Sequence, residues 1–414
     1  MFCGMIAITT GIIPHLKSFL NPHGSSFLRK GGIFLKTVGI ICEYNPFHLG
    51  HRKQFDSIRD ILGQDTVIVC LMSGNFVQRG MPAIFDKSLR ARAAIDCGAD
   101  LVLELPTTYA LSSAEGFAAG GVQILSSFCD YLCFGSETGD VESLTETAGA
   151  LLSPEFSPAL RTALEDGCSF PVARQRALAQ MGCDASLLQN PNDILAVEYC
   201  KAILAQSSSM KPLPIRREGC YHDTNADAEN PSATSLRQLI TQNQPWEAYT
   251  PAWDIFSDAP VHTLTAGERA MLARLRTMSD EEFEALPYGS EGLWRKFMHT
   301  CREHATLEEI LTTTKSKRYT RTRLDRMAMC AYLGITTEIL NAPVPYVRVL
   351  GMRTSGIPAL KTARETGLFP HIGEKTGLKY EKLEQRFDDL YGLFCQADPS
   401  APGQTEHRRI YLRK

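Results

Sequence analysis

Two histidines three residues apart, His48 and His51, close the run VGIICEYNPFHLGH from Val38 to His51. An apolar stretch halted by Asn45-Pro46 and followed at once by H-x-G-H is the sequence form of a buried strand, a sharp turn and a helix start. Proline disfavours helical backbone at the residue before it, so Asn45 should be extended and the helix should open near Phe47 or His48. Imidazoles at this spacing share one face of the first turn. The N–H groups and the helix dipole already favour phosphate there, and Gly50 lets a ligand approach the backbone closely. Taken alone, the same pair also fits one histidine capping a turn beside a solvated neighbour. Its surroundings favour phosphate chemistry.

Further apolar runs stand at Val67 to Met72, Asp100 to Leu105, Asp130 to Phe134 and Leu213 to Arg217, with helix-like stretches such as Lys87 to Cys97 and Ala114 to Phe128 between them. Strands alternating with helices predict an α/β fold with a doubly wound parallel sheet. Ligands in such sheets lie beyond the carboxyl ends of the strands, where the H-x-G-H falls. No G-x-G-x-x-G follows the first strand and no P-loop occurs, which excludes those two kinds of nucleotide site.

The segment PSATSLR, Pro231 to Arg237, follows the last predicted strand and runs into Leu239-Ile240 at helical spacing. Serine and threonine at a helix entrance are ordinary caps. With Arg237 beside them, Ser232, Thr234 and Ser235 also make a clamp for polyphosphate, because hydroxyls, N–H groups and a guanidinium meet at one helix start. One such start after the first strand and another after the last would grip a triphosphate from both sides.

The pair H-x-G-H and S-x-T-x-L-R resembles the HIGH-superfamily nucleotidyltransferases. Longer strings are more specific. ICEYNPFHLGH, MSGNFVQRGMPAIFDK, GADLVLELP, FGSE, PNDILAVEY, IRREGCYHD and SATSLR, then SKRYTRTRLDRMAMCAYLGI and VRVLGMRTSGIPAL, are similar in order to the bacterial tRNA(Met) cytidine acetate ligase family, over roughly residues 37 to 414. The resemblance implies a ligase that uses ATP, with Mg2+ carried on its phosphates, to activate acetate as acetyl-adenylate. The acetyl group then passes to N4 of the wobble cytidine of elongator tRNA(Met). The family's ATP-binding stretch falls on Ile41, Cys42, Glu43, Tyr44, Asn45, Pro46, Phe47, His48, Leu49, Gly50, His51, Arg52, Lys53 and Gln54. Further nucleotide contacts fall on Gly135, Asn192 and Arg217. Many members read asparagine where this chain has Asp193, and the nearby Asn190 leaves the asparagine assignment open between Asn190 and Asn192.

Acetate is already a carboxylate near neutral pH, so attack on the α-phosphorus needs charge neutralisation and alignment rather than a base. His48, His51 and Arg237 are the candidate catalytic residues. Glu43 reads either as a turn-forming carboxylate or as a site residue. Lys87, Arg90 and Arg92 read as a solvated helix face, the loop from Ser73 to Gly80 as a substrate-contacting loop, and His222 as a structural residue at a strand end.

A chain of 414 residues allows two or three domains. We expect residues 1–36 to be a disordered extension, 37–257 the nucleotidyltransferase domain, and 258–414 a helical domain that contacts tRNA. Helices are expected from Gly267 to Met278, Asp280 to Leu286, Glu291 to His304 and Arg323 to Leu333. Between the last two, Lys315 to Arg323 carries five cations and a tyrosine in nine residues. In a chain of net charge −3, which rules out a generally basic coat, that segment reads as a phosphate-tracking surface with tRNA contacts at Lys317, Arg318, Arg321 and Arg323. The tail, Arg408-Arg409 and Arg413-Lys414, is the alternative place for RNA.

Thirteen cysteines, an odd number with no C-x-x-C pair, point to reduced thiols in a cytoplasmic protein. No apolar run approaches the roughly 20 residues of a membrane span, and nothing indicates an obligate protein partner or a protein-held metal. Two other readings compete with the ligase. A HIGH-type adenylyl- or cytidylyltransferase acting on a small cofactor precursor would not need the basic helical half. A non-catalytic RNA-binding protein would not need both phosphate signatures intact.

Overall fold

The computed structural model describes residues 28–30, 33–216, 232–365, 379–399, 401–403 and 409–414. Strand β1 (Thr37–Cys42) leads through the histidine turn into helix α1 (Leu49–Leu62), and the chain continues through β2 (Val67–Ser73), α2 (Lys87–Asp96), β3 (Leu101–Leu105), α3 (Ala114–Leu125), β4 (Tyr131–Ser136), α4 (Pro191–Ala205), β5 (Lys211–Arg216) and α5 (Ala233–Thr241). Strands β2 and β3 are buried throughout. Strands covered on both faces read as continuous apolar runs, which is why these stood out in the sequence.

Alternate residues of these strands enter different cores. Val69, Leu71, Leu101 and Leu103 pack with α3 and α4 on one side, while Ile68, Cys70, Met72 and Val102 pack with α1, α2 and α5 on the other. The chain is therefore wound on both faces of the sheet, as expected.

Seven strands lie in the order β7-β6-β3-β2-β1-β4-β5, where β6 is Val349–Arg353 and β7 is Tyr411–Arg413. The five strands β1 to β5 are mutually parallel. The chain runs outward through β1, β2 and β3, then returns to place β4 on the other side of β1. The switch point thus lies between β1 and β4, at the end of the strand that carries the histidine turn.

After residue 258 the chain is mainly helical, including α6 (Leu293–Glu303), α7 (Arg321–Leu333) and α8 (Lys379–Tyr391), around a core of its own. The four expected helices appear as Leu264–Thr277, Asp280–Glu284, α6 and α7. This part does not stay off the sheet, however. β6 pairs antiparallel with β3, and β7 pairs parallel with β6. Without them β3 would be an edge with unpaired main-chain groups, and covering it removes that liability. The N-terminal extension also differs from expectation near its end, since Leu28–Lys30 pairs antiparallel with Ile33–Leu35. Residues 1–27 lie outside the described set.

Helix α2 corrects a second expectation. Arg92 is half-exposed and pairs with Asp96, but Lys87 and Arg90 are buried. With α8 packed over the strand ends, Lys87 Nζ lies 2.6 Å from Glu104 of β3 and 2.7 Å from Asp388 of α8. Arg348 approaches the same two carboxylates at 2.9 and 3.4 Å, and Glu384 at 3.9 Å. Burial alone would raise the Glu104 carboxyl, but Arg348 and Lys87 hold it below the usual range. Burial pushes Asp388 and Glu384 up.

Removing one partner from a buried ion cluster leaves charge uncompensated. Lys87→Met should therefore destabilise the protein by about 3–5 kcal/mol in urea titration. A loss within error of zero would mean that the cluster does not hold the C-terminal part to the sheet.

Candidate active site at the carboxyl ends of the central strands

Beyond β1 the backbone turns at Tyr44, which takes a left-handed φ of 47°, and passes through a cis Asn45-Pro46 bond. His48 is extended (φ −143°, ψ 174°) and acts as the N-cap, so α1 opens at Leu49, just after the expected Phe47 or His48. The two histidines form a reciprocal cap. His48 Nδ1 accepts from the Gly50 N–H at 3.1 Å, and His51 Nδ1 accepts from the His48 N–H at 3.2 Å. The rings stack with centroids 3.7 Å apart, and Tyr44 meets His51 edge-on at 4.7 Å. A side chain at position 50 would put its Cβ 3.0 Å from the His48 ring, so the glycine makes room for this stack.

An Nδ1 that accepts carries no proton, so each neutral ring holds its N–H on Nε2. The capping and phosphate readings of the pair are thus compatible. Nδ1 of each ring builds the cap, so the cap does not use Nε2.

The second helix start is brought against the first. Arg237 Nη1 donates to the Asn45 carbonyl at 2.8 Å, and its Nη2 to Thr234 Oγ1 at 3.1 Å. Thr250, which sequence reasoning missed, donates its hydroxyl to the Phe47 carbonyl at 2.9 Å. Ser232 and Ser235 are spent differently from expectation. Ser232 Oγ accepts from the Ser235 N–H at 3.0 Å, and Ser235 Oγ donates back to the Ser232 carbonyl at 2.9 Å. They cap α5, leaving Thr234 and Arg237 as the half-buried polar side chains of its first turns.

Within the stretch expected to bind ATP, Ile41, Tyr44, Asn45, Pro46 and Phe47 are buried, and Phe47 and Tyr44 form the floor beneath His51. Cys42 is half-buried, and desolvation pushes its thiol well up. Asn45 Oδ1 accepts from the Ile84 N–H at 2.7 Å. Leu49 and Gly50 are half-buried in the first turn of α1. Arg52 pairs with Asp56 on the helix surface, Lys53 is exposed, and Gln54 reaches Cys133 of β4.

Gly135 is half-buried next to the end of β4. Asn192, in the first turn of α4, donates to Glu137 at 2.7 Å, whereas Asn190 donates to Asp193 at 3.3 Å. Asp193 is fully buried and accepts from Ser136 Oγ and the Glu137 N–H. The departure from asparagine at position 193 is thus an acceptor that fixes the turn after β4. Arg217 and His222 lie outside the described residues.

Glu43 braces the turn, its Oε1 accepting from the Gln78 N–H at 2.8 Å. The loop from Ser73 to Gly80 is mostly internal. Asn75 contacts Lys87, Asp86 and Asp388, and Phe76 enters the C-terminal core. Gln78 and Arg79 stand at its edge, and the Gln78 carbonyl accepts from Arg326 of α7 at 3.5 Å. Arg90 is the largest omission. Its guanidinium is wholly buried against main-chain carbonyls of both central strand ends. No local sequence signal distinguishes it from Arg92.

The basic segment is more internally committed than its composition suggests. Arg318 pairs with Glu291 at 2.7 Å, and Arg321 with Glu308 at 2.6 Å and Asp325 at 2.8 Å. Hydrogen bonds from Arg321 lower the Glu308 carboxyl to about 2. Arg323 donates to the Tyr288 carbonyl at 2.7 Å and lies over the Tyr319 ring. Lys315 and Lys317 are exposed, and Lys296 of α6 joins them through its 3.5 Å contact with the Lys315 carbonyl.

A doubly wound sheet with two polar helix starts locked together at its switch point is the architecture of a nucleotidyltransferase. The family model described as HIGH Nucleotidyl Transferase matches residues 35–406, and the chain belongs to that family. Proteins from Clostridium acetobutylicum and Alkaliphilus metalliredigens, both called tRNA(Met) cytidine acetate ligase, are 34% identical to it. The first match covers 84% of this chain and 92% of the relative, the second 92% and 99%. Among solved structures, apo Thermotoga maritima TmcAL (form I) superposes with a TM-score of 0.83 at 30% identity, and the same protein bound with alpha-thio ATP with 0.81 at 28%. Each covers 92% of this chain and 100% of that one. Within the wider family, the chain belongs to the tRNA(Met) cytidine acetate ligases.

Because Arg237 holds the histidine turn, Arg237→Ala should cost about 1–2 kcal/mol of stability, and His51→Ala about 1 kcal/mol through its half of the cap. Chemical denaturation reads both. An unchanged midpoint in either variant would mean that the corresponding hydrogen bond contributes nothing to the fold.

Proposed function

We propose that this protein is an ATP-dependent ligase that activates acetate and acetylates N4 of the wobble cytidine of elongator tRNA(Met), in the cytoplasm. The observation that carries the reading is the locked pair of helix starts, in which Arg237 bonds to the turn that presents His48 and His51. The family relationship and the likeness to a structure bound with alpha-thio ATP support it.

In the first step an acetate oxygen attacks the α-phosphorus of ATP, and the bond to the bridging oxygen breaks with departure of pyrophosphate. Charge builds on the phosphoryl oxygens as it does so. The Nε2–H donors of His48 and His51, Arg237 and the N-termini of α1 and α5 stabilise that charge without a proton transfer. Mg2+ carried on the ATP phosphates, with mostly water as its other ligands, would supply further neutralisation. Gly135 and Asn192, at the ends of β4 and α4, are assigned to the nucleoside side of the site. In the second step cytidine N4 attacks the carbonyl carbon of the mixed anhydride, AMP leaves and N4 loses a proton. Lys317, Arg318, Arg321 and Arg323 are assigned to the tRNA surface, with Lys296 and Lys315 added to it.

Pyrophosphate release should depend on acetate and proceed with no RNA present. His51→Ala should slow it on the order of a hundredfold, about 3 kcal/mol of transition-state stabilisation. Turnover with nicotinate mononucleotide or phosphopantetheine, and none with acetate, would sink the ligase reading.

The two half-reactions should also separate. Reversing charge at Lys296, Lys315 and Lys317 should spare pyrophosphate release, weaken tRNA acetylation, and flatten the log–log salt dependence of tRNA binding by roughly one unit per lost phosphate contact. Unchanged tRNA affinity across a salt series would move the RNA surface elsewhere on the molecule.

A further inference from the structure

Arg90 is a fully buried guanidinium whose hydrogen bonds all go to main-chain carbonyls. Nε donates to Phe85 at 2.8 Å, Nη1 to Glu43 at 2.5 Å and to Ser73 at 3.2 Å, and Nη2 to Gly74. No carboxylate lies within ion-pair distance of it among the described residues. A buried charge is costly unless something in the fold requires it. Surface anchoring does not require this one, and neither does an ion pair.

Its position supplies a reason. Glu43 follows the last residue of β1, Ser73 is the last residue of β2 and Gly74 follows it, so the three carbonyls stand at the carboxyl ends of the two central parallel strands. Ligands of such sheets bind beyond those ends. For an anionic ligand, carbonyl oxygens at the strand ends present partial negative charge on the wrong side. A guanidinium that collects them turns that boundary positive and holds the start of the histidine turn at Glu43, while Arg237 holds the same turn two residues on, at Asn45.

We infer that Arg90 is a positioning residue for the triphosphate. It acts through the strand-end carbonyls and the histidine turn without touching the ligand, and makes the site selective for the phosphorylated form of the nucleoside. The inference rests on the nucleotide-binding part of the proposed function and not on its acetate or tRNA chemistry.

The test compares a non-hydrolysable ATP analogue with adenosine by isothermal titration, on wild-type protein, Arg90→Lys and Arg90→Met, with folding checked by thermal melts. Arg90→Lys keeps a charge but loses the fork, and Arg90→Met loses both. The expected result is a fall of about tenfold or more in affinity for the ATP analogue, with adenosine affinity unchanged within about twofold and Arg90→Met worse than Arg90→Lys. An equal loss for both ligands would mean a merely architectural arginine and overturn the inference, as would failure of both variants to fold. Wild-type protein that prefers ATP over adenosine yet never uses acetate would sink the ligase reading and leave this one standing. No preference in the wild type would end both.

Discussion

The site depends on one short turn being held from two sides. Residues 43–47 lie between the last residue of β1 and the cap of α1, yet they must present two imidazoles at fixed positions. Arg90 takes the carbonyl at Glu43 and Arg237 the carbonyl at Asn45, from helices that follow β2 and β5 in sequence. Side chains complete the grip. Glu43 accepts from Gln78, Asn45 from Ile84, and Thr250 donates to the Phe47 carbonyl. Every partner belongs to a different segment, so the turn is ordered only when the fold is complete. Placing donors before the anion arrives is the condition under which they are worth most, because no reorganisation is then charged against the reaction.

The same logic explains why the C-terminal part is built into the sheet. β6 completes the edge of β3, and Asp388 of α8 reaches Lys87 of α2, the helix that also carries Arg90. Two cations and three carboxylates share that cluster, an excess of negative charge that fits the upward push on Asp388 and Glu384. Burying such a group is rarely a net gain over an apolar core of the same shape. It does fix one arrangement, since Lys87 can satisfy Glu104 and Asp388 together only when α8 is seated.

Local features were legible in the sequence and distant ones were not. The apolar runs of β1 to β4 and the break at Asn45-Pro46 are properties of consecutive residues, so the strands, their parallel order and the histidine turn could be read directly. α1 opened later than expected because His48 itself became the cap, an outcome that depends on its ring folding back over Gly50. The burial of Lys87 was invisible because it is produced by α8, some three hundred positions along the chain, and that of Arg90 because its partners are carbonyls at the ends of β1 and β2. Ser235 is a cap partner, because a hydroxyl three residues after a serine N-cap has an acceptor at hand in the Ser232 carbonyl. Val349–Arg353 becomes a strand where β3 offers it an edge.

Commitment of the arginines in the basic segment also decides how a polyanion would meet this surface. Recruiting Arg321 or Arg318 to a phosphate means giving up a carboxylate already in place, an exchange that gains little where both states are wet and screened. Lys315 and Lys317, and Lys296 beside them, are exposed ammonium groups on flexible stems, which suit non-specific backbone contact. The arginines also shape the platform: Arg323 and Arg318 tie the segment to residues 288–291, and Arg321 starts α7. Arg326 on that helix reaches Gln78, and Gln78 reaches Glu43. Arg326 and Gln78 therefore link the helix of the cationic platform to the histidine turn, on the β2 side of β1, opposite the β4 side that carries Gly135 and Asn192. An acceptor arriving from the platform and a nucleotide held at the switch point would meet across β1 without competing for the same wall.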